Sequence, residues 1–196
     1  TIASDECYSE IYFDQAAPPL GGLQAARLPG RSNERLIAFS SLSKRSNVPG
    51  MRSGFVAGDA AILKKFLLYR TYHGCAMAPP VQLASTAAWN DEAHVLDNRN
   101  QYREKFAACT PLIGEVLGTR MPDASFYLWA RTPVTDTEFA RGLLEHYNVV
   151  VLPGSFLARE VKDINPGANF VRIALVASAA ECLDAASRIR RFAQQL

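Results

Sequence analysis

Arg35-Leu36-Ile37-Ala38-Phe39-Ser40-Ser41-Leu42-Ser43-Lys44, continued by Val48-Pro49-Gly50-Met51-Arg52-Ser53-Gly54, is the stretch whose reading decides the fold. Arg35 to Ser40 reads as a short buried strand and Gly54 to Ala57 as another, with Ser41 to Ser53 suspended between them. A lysine at a strand's end, desolvated and flanked by hydroxyls, can form a Schiff base with a carbonyl compound and move a proton as a general base. Ser41 and Ser43 offer a phosphate side-chain and backbone donors. A lone loop lysine is by default solvated. What argues for chemistry is Arg52, whose guanidinium can pair bidentately with the same phosphate, followed by Gly54, where the backbone can pass close by.

Upstream, Thr1 to Ser4 reads as the last residues of a buried strand, so Asp5-Glu6-Cys7-Tyr8 falls at a strand's carboxyl end, the edge where open α/β sheets bind ligands. A buried carboxylate there can pair with a protonated pyridine nitrogen, and a phenol can hydrogen-bond an oxygen on the ring. The same four residues also fit a helix cap with a packed aromatic. Asp14 to Asn33, with Pro18, Pro19, Gly21, Gly22, Pro29 and Gly30, reads as loop.

Downstream, Asp59 is expected to cap a helix through Tyr72, and a second helix should follow Pro79-Pro80 through Asn90, each with an apolar stripe. Asp91 to Leu117 reads as one long polar helix carrying Val95, Tyr102, Phe106 and Leu112 and interrupted near Pro111. Then come strand 125–130, helix 137–146, strands 149–152 and 169–175, and helix 179–194, a small α+β unit. In that last strand stands Phe170-Val171-Arg172-Ile173-Ala174-Leu175. An arginine among apolar residues is costly unless paired, and a ligand carboxylate is a suitable partner.

Ser41-Leu42-Ser43-Lys44 with Val48 to Gly54 resembles the lysine signature of class I and II aminotransferases, and Asp5-Glu6-Cys7-Tyr8 resembles their Asp-x-x-Tyr motif. Ser53 departs from the small aliphatic residue usual between that arginine and glycine. Ala124 to Trp129 is similar to the family's small-domain entry strand. The resemblance implies pyridoxal 5'-phosphate as cofactor, with Lys44 on the aldehyde carbon, Asp5 on the pyridine nitrogen, Tyr8 on the 3-oxygen, and Ser41, Ser43 and Arg52 at the phosphate. It implies Arg172 as the clamp for the substrate's α-carboxylate. The fold it implies is α/β: residues 1–95 as the C-terminal part of a fold-type I large domain with a mainly parallel sheet, 96–118 as an interdomain helix, and 119–196 as a small α+β domain. The residues that stack on the ring and the glycine-rich phosphate loop belong to an upstream half. The 196 residues alone are therefore not expected to be a competent enzyme.

Longer runs, Ser41 to Asp59, Leu67 to Met77 and Ala87 to Val95, are similar to one branch of that family, the N-succinyldiaminopimelate aminotransferases of lysine biosynthesis. That likeness implies amino exchange between glutamate and N-succinyl-2-amino-6-oxoheptanedioate, by a homodimer. Three alternatives share these residues: an aminotransferase for aspartate-family or aromatic substrates, a lyase or synthase on the same fold, and an aminotransferase-like effector domain of a transcription regulator.

Composition narrows the field further. With 21 basic and 19 acidic residues scattered along the chain, no basic stripe marks a nucleic-acid partner. Arg188, Arg190 and Arg191 read as a solvated helix face. Cys7, Cys75, Cys109 and Cys182 form no metal-type spacing and no disulfide framework. No apolar run approaches the roughly 20 residues that span a bilayer and no charged-then-apolar leader opens the chain, so a cytoplasmic protein without membrane partners is expected. His94 and His146 are expected at the surface, and His73 is expected to be structural.

Overall fold

The computed structural model describes every residue except 29 and 75, so the expectations for Pro29 and Cys75 lie outside the described residues. The chain divides into two compact units, Thr1–Arg99 and Asn100–Leu196.

In the first unit, β1 (Ile2–Asp5) lies parallel to β2 (Leu36–Ser41), and β3 (Gly54–Gly58) returns antiparallel on the other side of β2. The register sets Asp5 opposite Phe39 and Ser41 opposite Gly54. β2 is central and alternates as a half-covered strand should, with Leu36 and Ala38 buried. β1 was expected to be buried, but it is the edge strand and three of its four residues are exposed. The loop reading of 14–33 also needs correction: α1 (Gly22–Ala25) forms within it. The Glu6 carboxylate accepts the Gly22 amide at 2.7 Å and the Ser4 hydroxyl at 2.9 Å, tying that turn to the end of β1.

α2 (Leu42–Arg45) leaves β2 directly, α3 (Ala60–Tyr72) starts at the expected Asp59 cap, and α4 (Pro79–Trp89) opens on its paired prolines. The Asp59 carboxylate accepts the amides of Ala61 and Ile62, which a helix start leaves without partners, and also that of Arg35. The apolar residues expected to make α3 and α4 scaffold stripes are largely uncovered: Leu67, Leu68, Tyr69, Tyr72 and Leu83 are all exposed.

α5 (Ala93–Leu117) starts in the first unit and is not interrupted: it continues through Pro111. Proline sacrifices one helical hydrogen bond and usually bends the helix, but its ring here lies on the exposed side and does not end the element. In the second unit, Tyr102, Phe106, Cys109, Ile113 and Leu117 of this helix are buried at helical spacing.

The second sheet has the antiparallel order β4 (Tyr127–Arg131), β6 (Phe170–Ala174), β5 (Leu152–Pro153), with α6 (Asp136–Tyr147) and α7 (Ala179–Ala193) completing the unit. β5 is shorter than the expected 149–152 strand, pairing only at Leu152 and Pro153, while Val150 is exposed. One face of the sheet carries Leu128, Ala130, Val171 and Ile173, buried with Phe139, Leu143, Ala186, Ile189 and Phe192. α7 begins with a capping box in which the Ser178 hydroxyl accepts the Glu181 amide at 3.3 Å and the Glu181 carboxylate accepts the Ser178 amide at 3.0 Å. Two of its three basic residues are ion-paired within the unit, Arg188 with Asp184 at 2.6 Å and Arg190 with Glu115 at 2.9 Å. Cys7, Cys109 and Cys182 are free thiols, and burial pushes Cys109 up to about 11. Among the described residues no helix is long and apolar enough to cross a membrane.

Candidate active site

The first unit gathers its chemistry at the carboxyl ends of the parallel pair. β1 ends at Asp5, opposite Phe39, and the Glu6 amide donates to the Phe39 carbonyl at 2.8 Å, carrying the pairing one residue further. β2 ends at Ser41, and Lys44 follows on α2. Asp5, Cys7, Ser41 and Lys44 thus lie on adjoining strand ends, as ligand sites of open α/β sheets require.

Ser41 caps α2: its Oγ accepts the Ser43 amide at 3.0 Å. That bond spends the Ser43 backbone donor expected to serve a phosphate and leaves the Ser41 hydroxyl proton and the Ser43 hydroxyl for an anion. Arg52 takes the left-handed conformation, φ 51° and ψ 39°, at the end of a 3-10 turn Pro49–Met51, and its guanidinium donates to the Pro49 carbonyl at 2.8 Å on the exposed surface. Such backbone is uncommon for a residue with a side chain and turns the chain back toward β2. The expected close passage at Gly54 is present: a Cβ there would stand 2.6 Å from the Ser40 carbonyl oxygen. Ser53 is buried, its Oγ 2.7 Å from that of Ser85, which replaces apolar packing by a hydroxyl pair.

Asp5, at the end of β1, is exposed, where the sequence suggested a buried carboxylate. Its carboxyl lies below the usual carboxylate range, first through the Cys7 side chain and then through the Cys7 amide, which donates to Oδ1 at 3.1 Å. The Cys7 thiol is raised, by burial first and then by Asp5, and it also lies against Ser41. Asp5 is therefore held ionised, as a partner for a protonated ring nitrogen must be. Tyr8 is exposed on the turn after β1.

In the second unit, Arg172 stands on β6 opposite Trp129. Strand alternation turns its neighbours Val171 and Ile173 to the buried face, so the arginine is not enclosed by them as the sequence suggested. It lies on the opposite face with its guanidinium 5.5 Å from the Tyr127 ring centroid, while Trp129 stacks on Phe170. Its Nε is buried with no hydrogen-bond partner. The half-buried guanidinium offers a planar fork of the kind that pairs with a carboxylate.

Several contributors carried no sequence signal of their own. Glu6 secures the loop, Asn98 donates to the carbonyls of Lys44 and Arg45, and Glu92 pairs with buried Arg45. His94, expected merely at the surface, is half-buried, bridging Asp91 and Ser46 at 2.9 and 2.8 Å. His73 is exposed and stacks on Tyr69, and His146 is exposed.

Residues 1–189 match the sequence profile of aminotransferase class I and II. The chain belongs to this family. An aminotransferase from Neisseria meningitidis shares 59% identity and superposes with a TM-score of 0.91, the match covering 97% of this chain and 49% of that one. A probable N-succinyldiaminopimelate aminotransferase from Thermus thermophilus shares 32% identity with a TM-score of 0.77, over 96% of this chain and 49% of that one. An LL-diaminopimelate aminotransferase from Maridesulfovibrio salexigens is 30% identical over 97% of this chain and 47% of its own length. The chain spans about half the length of the curated relatives it matches. Its architecture is that of the fold-type I aminotransferases, and the family works with pyridoxal phosphate.

Proposed function

We propose that the full-length protein is a pyridoxal-phosphate-dependent aminotransferase in which Lys44 is the cofactor lysine, and that its substrates are glutamate and N-succinyl-2-amino-6-oxoheptanedioate. The observation that carries the first part is the convergence of Asp5, Ser41 and Lys44 on the carboxyl ends of two adjoining parallel strands. The second part is supported by two relatives named for diaminopimelate compounds. In this reading residues 1–95 finish the large domain, 96–118 join the domains and 119–196 form the small domain. The protein acts as a cytoplasmic homodimer, and the uncovered apolar residues Leu67, Leu68, Tyr72 and Leu83 fit burial against further protein.

The donor set fits the cofactor. Lys44 would hold its aldehyde carbon, Asp5 the ring nitrogen, Tyr8 the 3-oxygen, and Ser41, Ser43 and Arg52 the phosphate. Bound there, the cofactor supplies an electron sink for the charge that develops when a substrate Cα–H bond breaks. Asp5 keeps that sink effective by remaining ionised, which its bonds from Cys7 favour. Lys44 Nζ would serve as the general base that moves the proton taken from the substrate's Cα. Arg52 can bring a cation to the phosphate by releasing the Pro49 carbonyl. By the family likeness, Arg172 would bind the amino acid's α-carboxylate through its planar fork.

The test is borohydride trapping of pyridoxal phosphate on the full-length protein, with peptide mass analysis, beside turnover of glutamate with the succinylated oxo acid, oxaloacetate and aromatic oxo acids. Trapping on the Lys44 peptide, lost in Lys44→Ala, is expected, with the succinylated acceptor preferred. A label elsewhere overturns the lysine assignment. Preference for another acceptor overturns the substrate, and trapping without turnover of any of them favours an effector-binding role.

A further inference from the structure

Three consecutive residues of the lysine turn are gripped by one short segment distant in sequence. Asn98 Nδ2 donates to the Lys44 carbonyl at 3.0 Å and to that of Arg45 at 3.4 Å. Glu92 takes the Arg45 guanidinium through both oxygens, and Glu10 stands 3.8 Å from the same group. His94 Nε2 meets Ser46 Oγ at 2.8 Å while Nδ1 meets Asp91 at 2.9 Å. The arginine is further fixed over the Trp89 ring, 5.1 Å to its centroid, and is only 4% exposed. α2 is a single turn, too short to hold itself, and the end of any helix leaves carbonyls in want of donors. Asn98 supplies those donors, and the other two contacts hold the next side chains along.

We propose that Glu92, His94 and Asn98 are positioning residues for Lys44: they clamp Lys44-Arg45-Ser46 at three successive points and so fix the backbone that carries the amine. None of the three needs to touch cofactor or substrate. Their effect is to lower the number of conformations from which Nζ must be recruited, so that its approach to a carbonyl begins from one geometry. The clamp also explains why an arginine is buried next to the lysine: Arg45 is the handle by which the neighbouring segment holds the turn.

The inference rests on Lys44 being the cofactor lysine, and the experiment separates the two. In the full-length protein, the rate at which added pyridoxal phosphate becomes borohydride-trapped on the Lys44 peptide is followed across pH, with thermal melting measured alongside. If wild type is never labelled at Lys44, the functional reading fails and the clamp with it. If wild type is labelled, Asn98→Ala should slow capture about tenfold, the size expected for lost hydrogen bonds to backbone carbonyls, at every pH. The midpoint of the pH profile should stay in place, since the amine's surroundings keep their charges. Unchanged capture overturns the clamp. So does a slowing that vanishes when the variant is assayed as far below its melting temperature as wild type. Should Asn98→Ala not fold, Ser46→Ala decides: it removes only the His94 contact, and a few-fold slower capture with unchanged melting supports the proposal, while wild-type capture overturns it.

Discussion

The hydroxyls of Ser53 and Ser85 stand 2.7 Å apart in the buried interior between β3 and α4, and Ser85 Oγ is also 2.6 Å from the Val81 carbonyl. Ser53 occupies the position where the family usually has a small aliphatic residue, so the substitution has a definite structural counterpart in Ser85. Removing the Ser53 hydroxyl strands Ser85 less than it first seems, because Ser85 can still donate to Val81. Ser53→Ala and Ser85→Ala should each cost about 1 kcal/mol, and the double variant less than their sum, as measured by a denaturant double-mutant cycle. Strict additivity would mean that the two hydroxyls do not interact.

Gly54 passes the Ser40 carbonyl so closely that a Cβ would sit 2.6 Å from its oxygen. Backbone on both sides must then move, and Ser41 and Lys44 hang from the strand that moves. Gly54→Ala should therefore destabilise by about 1–3 kcal/mol and weaken pyridoxal phosphate retention together. Calorimetry beside cofactor titration is the check, with loss of stability alone marking a purely structural glycine.

Asp136 is buried in the second unit, accepting the Ser155 amide at 2.8 Å and that of Asn169 at 3.4 Å. Burial acts to raise its carboxyl, but the hydrogen bonds from Ser155 and Asn169 outweigh it and the group is lowered. A lowered folded value means that this stabilisation is fully present above the ordinary unfolded carboxylate range, about pH 4, and is lost as pH falls through the folded value. Asp136→Asn should cost about 1–3 kcal/mol at neutral pH, with the difference from wild type shrinking under acid in urea titrations. A difference constant from neutral to acid pH would contradict the ionised role.

Arg172→Lys keeps the charge on β6 but loses the planar fork and the stacking over Tyr127. In the full-length protein kcat/KM should fall for glutamate and for the oxo acid alike, by about 2–4 kcal/mol of transition-state binding, with cofactor retained. Steady-state kinetics on both half-reactions tests this. Loss of cofactor, or a defect confined to the oxo acid, would remove Arg172 from the α-carboxylate role.

Much of this protein was written locally. The Asp59 cap, the prolines opening α4, the strand Leu36–Ser41 and the lysine directly after it depend on backbone preferences and apolar spacing within a few residues, which a sequence displays. What only the tertiary structure decided was which groups meet over long separations and which strand faces solvent. Among the described residues β1 pairs with β2 alone, and Arg172 escapes Val171 and Ile173 because pleating sends it to the other face. α5 outlasts Pro111 because its packed stripe from Tyr102 to Leu117 outweighs one missing hydrogen bond. The grip of Glu92, His94 and Asn98 on the lysine turn was invisible in advance, since polar residues 47 to 54 positions away carry no periodic signal, and only chain folding brings such donors to their acceptors.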